Sequence, residues 1–130
     1  MESLIYIFTM VICQTFNSND IPVSISSSGT PTITSDLILY DRGTVSDLDI
    51  INLVGTHTYV TDLNFFITSP DNTKIEFWDQ PCGSQNNFDI NFDDEASNGS
   101  FPCPPTDGGT YIPDNVLSVF DTKNIIGLWQ

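Results

Sequence analysis

Positive charge is what this sequence has least of. Arg42, Lys74 and Lys123 stand against seventeen acidic residues, for a formal net charge of −14. A surface of that sign repels phosphate backbones, which argues against nucleic acid or an anionic membrane as a partner. It does not argue against calcium or another hard cation.

Long apolar runs are also missing. The longest, LIYIFTMVIC over residues 4–13, is about half of the roughly 20 residues a membrane-spanning helix needs. It reads either as the apolar stretch of a secretory signal, though no Lys or Arg precedes it and no small-x-small cleavage site follows, or as a leading strand or upstream remnant. Residues 1–20 are therefore set apart from a domain over 21–130. At the other end, Gly127-Leu128-Trp129-Gln130 carries no closing turn. A domain rarely stops in mid-strand, so the expectation is a fragment that lacks the end of its last strand.

Histidine and cysteine are scarce. A Ser-His-Asp hydrolase needs a histidine base, and His57 is the only histidine. No Gly-x-Ser-x-Gly elbow presents a nucleophile. His57 thus reads as a structural residue at a strand end or turn, and no catalytic set is assigned. One His with Cys13, Cys82 and Cys103 far apart in sequence does not make the paired spacings of a zinc site. Cys82 and Cys103 instead flank a stretch dense in Asn, Asp, Gly and Ser. Joining them closes a loop worth about 3 kcal/mol in the chain-entropy model, and a disulfide implies an oxidising compartment. Cys13 is left odd, either removed with a signal or a free thiol.

What is abundant is turn chemistry. Charged residues make up only 15% of the chain while Asn, Ser, Thr and Asp recur throughout, poor material for helix interiors and good material for turns. Short β-branched and aromatic runs over 33–40, 45–54, 63–68, 73–78, 88–92 and 117–120 predict an all-β sandwich or barrel. Both faces of 45–54 carry apolar residues, Leu48, Ile50 and Val54 against Ile51 and Leu53, which predicts a central, covered strand.

Among the acids, Asp47, Asp49, Asp62, Asp93, Asp94 and Glu95 fall at predicted strand ends or in loops. Calcium takes oxygens from such neighbouring loops, so these are the candidate Ca2+ ligands, with solvated surface acids as the plainer reading. Paired carboxylates also serve glycosidases, and Trp78, Tyr111 and Trp129 are of the type that stacks on sugars. Large aromatics in short strands are more often core. Asn98-Gly99-Ser100 matches the glycosylation pattern, which is frequent by chance and goes unused in a bacterial host.

From Thr44 onward the motifs take a specific order. Thr44-Val45-Ser46-Asp47-Leu48-Asp49-Ile50 leads to Thr56-His57-Thr58-Tyr59 with Asp62-Leu63, then to Thr68-Ser69-Pro70-Asp71-Asn72-Thr73. Pro81-Cys82-Gly83, Phe92-Asp93-Asp94-Glu95-Ala96, Leu117-Ser118-Val119-Phe120 and Gly127-Leu128-Trp129 follow. This order resembles the P domain, or Homo B domain, of proprotein convertases and related bacterial subtilisin-like serine proteases, over about residues 21–130. Asn72 stands where the family usually has Gly. The resemblance implies a jelly-roll β-sandwich of galactose-binding-domain type, not itself catalytic, in which Thr56, His57, Thr58, Tyr59, Asp62, Leu63, Ser69, Pro70 and Trp129 are structural. It implies a secreted or cell-surface setting, leaning bacterial through Asp-Asp-Glu-Ala, and a subtilisin-like catalytic domain as partner in the same parent chain. The alternative is a calcium-dependent binding module of an adhesin or glycan-binding protein.

Overall fold

A computed structural model describes residues 13–26 and 28–130. The readings of 4–12 as signal or strand lie outside the described residues; Cys13 is a free, exposed cysteine.

Strands supply the regular structure, with no α-helix among the described residues. In chain order they are β1 (Leu37–Leu39), β2 (Ile50–Gly55), β3 (Asn64–Thr68), β4 (Lys74–Asp79), β5 (Phe88–Phe92), β6 (Thr110–Tyr111) and β7 (Gly127–Trp129). β3 and β4 form an antiparallel hairpin, β1 pairs antiparallel with β7, and β5 pairs antiparallel with β2 and parallel with β6. Thr68 and Gln130 exchange both backbone hydrogen bonds, at 2.8 and 3.0 Å, which splices the β3–β4 hairpin onto β7 and β1. The resulting sheets pack over an aromatic core, an all-β arrangement consistent with a sandwich.

That core is built at the hairpin. Phe65, Phe77, Trp78, Phe88 and Phe92 meet edge-on or tilted with ring centroids 5.4–6.1 Å apart, the geometry that aromatic quadrupoles favour. Phe101 stacks on Trp78 at 5.3 Å. Trp78, Tyr111 and Trp129 are all buried, so they are core residues and not a sugar-stacking surface. A second cluster joins Leu39, Val45, Phe120 and Trp129, and the Trp129 indole N–H donates to the Ile125 carbonyl at 2.9 Å. Trp78 Nε1 is buried with no hydrogen-bond partner among the described residues.

Three strand expectations need correction. Only the second half of 45–54 is strand, and β2 is paired on one side alone, with Ile51 and Val54 exposed. Alternation breaks at a bulge: Asn52 has φ +55°, the register with β5 shifts between Ile50 and Leu53, and Leu48, Ile50 and Leu53 reach the core together. One inserted residue re-aims all that follows it. Residues 117–120 form a 3₁₀ turn, not a strand, with Leu117 and Phe120 buried on its inner side. The stretch 33–40 is strand only at Leu37–Leu39.

The two edges of the hairpin differ. Along β4 the outer edge is plugged: Asp114 N–H donates to the Phe77 carbonyl at 3.0 Å, Asp79 N–H donates to Asp114 Oδ2 at 2.8 Å, and Asn115 Nδ2 donates to the Glu76 carbonyl at 2.6 Å. Along β3, the Ser69–Thr73 and Leu63–Gln80 bonds set the phase of the ladder. Alternate residues of an antiparallel pair turn their amides to opposite sides, so Asn64, Phe66 and Thr68 face away from β4. Thr68 meets Gln130 there; Phe66 has no backbone partner on that side among the described residues.

Candidate functional site

The motif residues cluster around the hairpin. Its turn begins at Ser69, whose carbonyl accepts the Asn72 N–H at 2.9 Å, with Pro70 at the position where its fixed φ suits a type I turn. Asn72 then takes φ +65°, the left-handed conformation that Gly and Asn adopt most readily. Asp71 organises the turn. Its Oδ1 accepts the Ser69 hydroxyl at 2.5 Å and the Thr73 N–H at 3.1 Å, while Lys123 Nζ lies 2.6 Å from Oδ2. The Lys123 ammonium first, then the Ser69 and Thr73 bonds, hold its carboxyl well below the usual range. Pro70, Asp71, Thr122, Lys123, Asn124 and Ile126 line an open depression of about 350 Å³ beside the turn.

His57 sits on the approach to the hairpin. Its Nδ1 accepts the Tyr59 N–H at 3.1 Å and lies 2.7 Å from the Tyr59 carbonyl. Its own N–H donates to Asn87 Oδ1 at 3.2 Å, and the Asn87 N–H returns to the His57 carbonyl at 2.9 Å. The ring therefore binds the backbone of its own turn, while the main chain of His57 joins that turn to the segment after Cys82 through Asn87. Within Thr56–Tyr59 the side chain that bonds backbone is that of His57; Thr56 and Thr58 are exposed and make no side-chain hydrogen bond among the described residues. Leu63 and Ser69 are buried, and Pro70 packs against Gly127.

Cys82 and Cys103 are joined by a disulfide, 21 residues apart. This confirms the bond expected from loop closure.

The candidate calcium ligands divide. Ile50 pairs with Phe92, so the residues before β2 and after β5 emerge at one end, and Asp47, Asp49, Asp93, Asp94 and Glu95 gather there. Partial loss of solvent, then repulsion from Asp93, Asp47 and Asp94, pushes the Asp49 carboxyl upward. Glu95 is pushed up as well, by desolvation first and then by its acidic neighbours. Asp62 is apart: it is exposed on the 3₁₀ turn Val60–Asp62 and is not among the charges acting on either group. The gathered acids are also partly committed. Asp94 accepts the Leu117 and Ser118 N–H groups, one on each oxygen at 2.8 Å, and Asp93 Oδ1 accepts the Glu95 N–H at 2.7 Å. Among the described residues no three His, Cys, Asp or Glu side chains converge to hold a metal ion.

No match was found for this chain among protein-family models, curated proteins or solved structures. Among the described residues no helix is long and apolar enough to cross a membrane.

Several residues that position the site were not singled out from sequence. Lys123 reaches Asp71 across 52 residues, Asn87 reaches His57 across 30, and Asn91 Oδ1 holds the bulged Asn52 N–H across 39. No local signal marks such pairs. Asp107 is different: it caps its own turn through the Gly109 N–H at 2.9 Å and accepts the Tyr111 hydroxyl at 2.5 Å, and Asp-Gly-Gly was a readable turn signal.

Proposed function

We propose that this chain is a non-catalytic accessory domain of the P or Homo B type, a jelly-roll sandwich that supports the folding, stability or targeting of a secreted subtilisin-like serine endopeptidase. The observation that carries the reading is the hairpin. The ordered motifs Thr-His-Thr-Tyr, Asp-Leu and Thr-Ser-Pro-Asp-Asn-Thr fall on one continuous unit, from the His57 turn through β3 to the turn at Asp71, and the Gly-x-Trp motif lies against it through the Thr68–Gln130 bonds. His57 contributes through backbone hydrogen bonds and not beside a nucleophile, which suits a supporting domain.

Such a domain needs a face for its peptidase, and we assign the outer side of the β1–β7 pair. Ile38 and Leu128 are register partners and both are exposed, at 55% and 40%, with Tyr40 and Ile126 next to them along the alternation. Contiguous exposed apolar side chains of this kind mark interaction surfaces.

The test begins with the DNA on either side of this reading frame. Where it encodes a subtilisin-like domain, the thermal half-life of that peptidase is compared with this domain present, deleted, or carrying Ile38→Lys and Leu128→Lys. A shortened half-life on deletion and on double substitution supports the assignment. A peptidase indifferent to the domain, or a frame with no peptidase beside it, overturns it.

A calcium-dependent adhesin module is the second reading, favoured by the gathering of Asp47, Asp49, Asp93, Asp94 and Glu95. Calorimetric titration with Ca2+ and glycan screening with and without the ion test it, and absence of both signals removes it.

A further inference from the structure

We propose that Asn98 is an acceptor for an N-linked glycan, transferred from a polyprenyl-diphosphate-linked oligosaccharide in a secretory lumen. Asn98-Gly99-Ser100 is the one Asn-x-Ser/Thr tripeptide in the chain and its middle residue is not Pro, as the acceptor chemistry requires. The tripeptide alone has little weight; its placement supplies the rest.

All three residues are exposed, in the segment between β5 and β6. A Cβ built on Gly99 would meet nothing within 4 Å, so there is open space at the middle of the acceptor. The Asn98 amide makes one bond, Nδ2 donating to the Thr110 carbonyl at 3.3 Å. A primary amide has two N–H groups, and glycosylation replaces only one hydrogen. The Thr110 bond is therefore compatible with the modified residue. Next to the tripeptide, Gly99, Ser100, Phe101, Ile112, Pro113 and Asp114 line an open depression of about 470 Å³. Its apolar members offer a surface to the C–H face of the first sugar, and Asp114 offers an acceptor to its hydroxyls.

The disulfide is the second, independent observation. Cys82–Cys103 encloses Asn98 within its loop, and such bonds persist in the oxidising compartments where secreted proteins fold. In the transfer, Asn98 Nδ2 bonds to the anomeric carbon of the first sugar. The bond from that carbon to the diphosphate oxygen breaks, the polyprenyl diphosphate leaves with the electron pair, and the displaced amide proton passes to a base. No atom changes oxidation state.

The proposal does not depend on the P-domain reading, and it takes a eukaryotic secretory pathway in place of the bacterial setting expected from Asp-Asp-Glu-Ala. To test it, the full chain is translated with a secretion signal in the presence of eukaryotic microsomes, and is also secreted from a eukaryotic cell. The product is digested with a peptide-N-glycosidase in ¹⁸O-water and residue 98 is examined by mass spectrometry. The expected result is a band shift that the glycosidase removes, ¹⁸O incorporated at residue 98, loss of both in Ser100→Ala and higher occupancy in Ser100→Thr. An unshifted, translocated chain with unmodified Asn98 overturns the proposal, as does a shift that survives Ser100→Ala.

Discussion

Asp94 accepts the N–H groups of Leu117 and Ser118 across 23 and 24 residues of chain, and so ties the acidic turn after β5 to the 3₁₀ turn that carries Leu117 and Phe120 into the two cores. Hydrogen bonds to a charged acceptor contribute about 1.5–3 kcal/mol, and a buried donor left unpaired is costly. Asp94→Ala should lower unfolding free energy by about 2 kcal/mol in urea titration, with Asp94→Asn intermediate; an unchanged midpoint would remove the capping role. Asp49 behaves oppositely. Its carboxyl and that of Glu95 are pushed upward, so the folded state holds those protons more tightly than the unfolded chain. That contribution is full below the ordinary carboxylate range and lost as pH rises through the raised values. Asp49→Asn should therefore raise the melting temperature near pH 7 and change it little near pH 3, where the carboxyl is protonated in both states. Equal shifts at both pH values would contradict the repulsion. For Asp71 the sign reverses, because its lowered pKa confers stability above the ordinary range that is lost on acidification.

The β3–β4 hairpin is the element whose chemistry reads most directly. Ser69-Pro70-Asp71-Asn72 names a type I turn followed by a left-handed residue, and Asn72 adopts φ +65°. Asn72→Gly should leave stability nearly unchanged while Asn72→Ala costs about 1 kcal/mol, since the Cβ penalty of the left-handed region has no local compensation in Ala. Equal costs from thermal unfolding would place the strain elsewhere. The same hairpin has an open side. Amide exchange at Phe66, which faces away from β4 with no described partner, should run at least about tenfold faster than at Ile67, which faces β4. Equal protection by exchange mass spectrometry or NMR would show that the β3 edge is covered. β2 was misread because two-faced apolar patterning usually means a central strand. Here the bulge at Asn52, held by Asn91 Oδ1 at 2.7 Å, turns Leu53 inward and leaves Val54 outside.

At the scale of the whole molecule the disulfide supports a long polar segment, 83–102, that contributes Phe88, Ile90 and Phe92 to the core. Closing a loop of this size should contribute about 3 kcal/mol by restricting the unfolded chain. The paired Cys82→Ser/Cys103→Ser chain should lose about that much in denaturant titration, and a loss within error of zero would mean that the loop is ordered by its packing alone.

Composition and turn residues were enough, from sequence alone, to determine the all-β class, the hairpin turn, the β5 segment and the cysteine pairing, because each depends on local backbone preference or on simple loop closure. Only the tertiary structure decided which acids stand together. Asp62 reads like Asp49 in sequence, yet the Ile50–Phe92 register carries Asp47 and Asp49 to Asp93, Asp94 and Glu95 and leaves Asp62 on another turn. It likewise decided that Leu117-Ser118-Val119-Phe120 coils as a 3₁₀ turn. Its β-branched and aromatic pattern suits a strand, but the two oxygens of Asp94 take the first two N–H groups, and burying Leu117 in one cluster and Phe120 in the other requires their three-residue spacing to face inward. Contacts between residues distant in sequence outweigh local propensity there, because strand preference spans only about 1 kcal/mol and each buried side chain contributes about 1.5–3 kcal/mol.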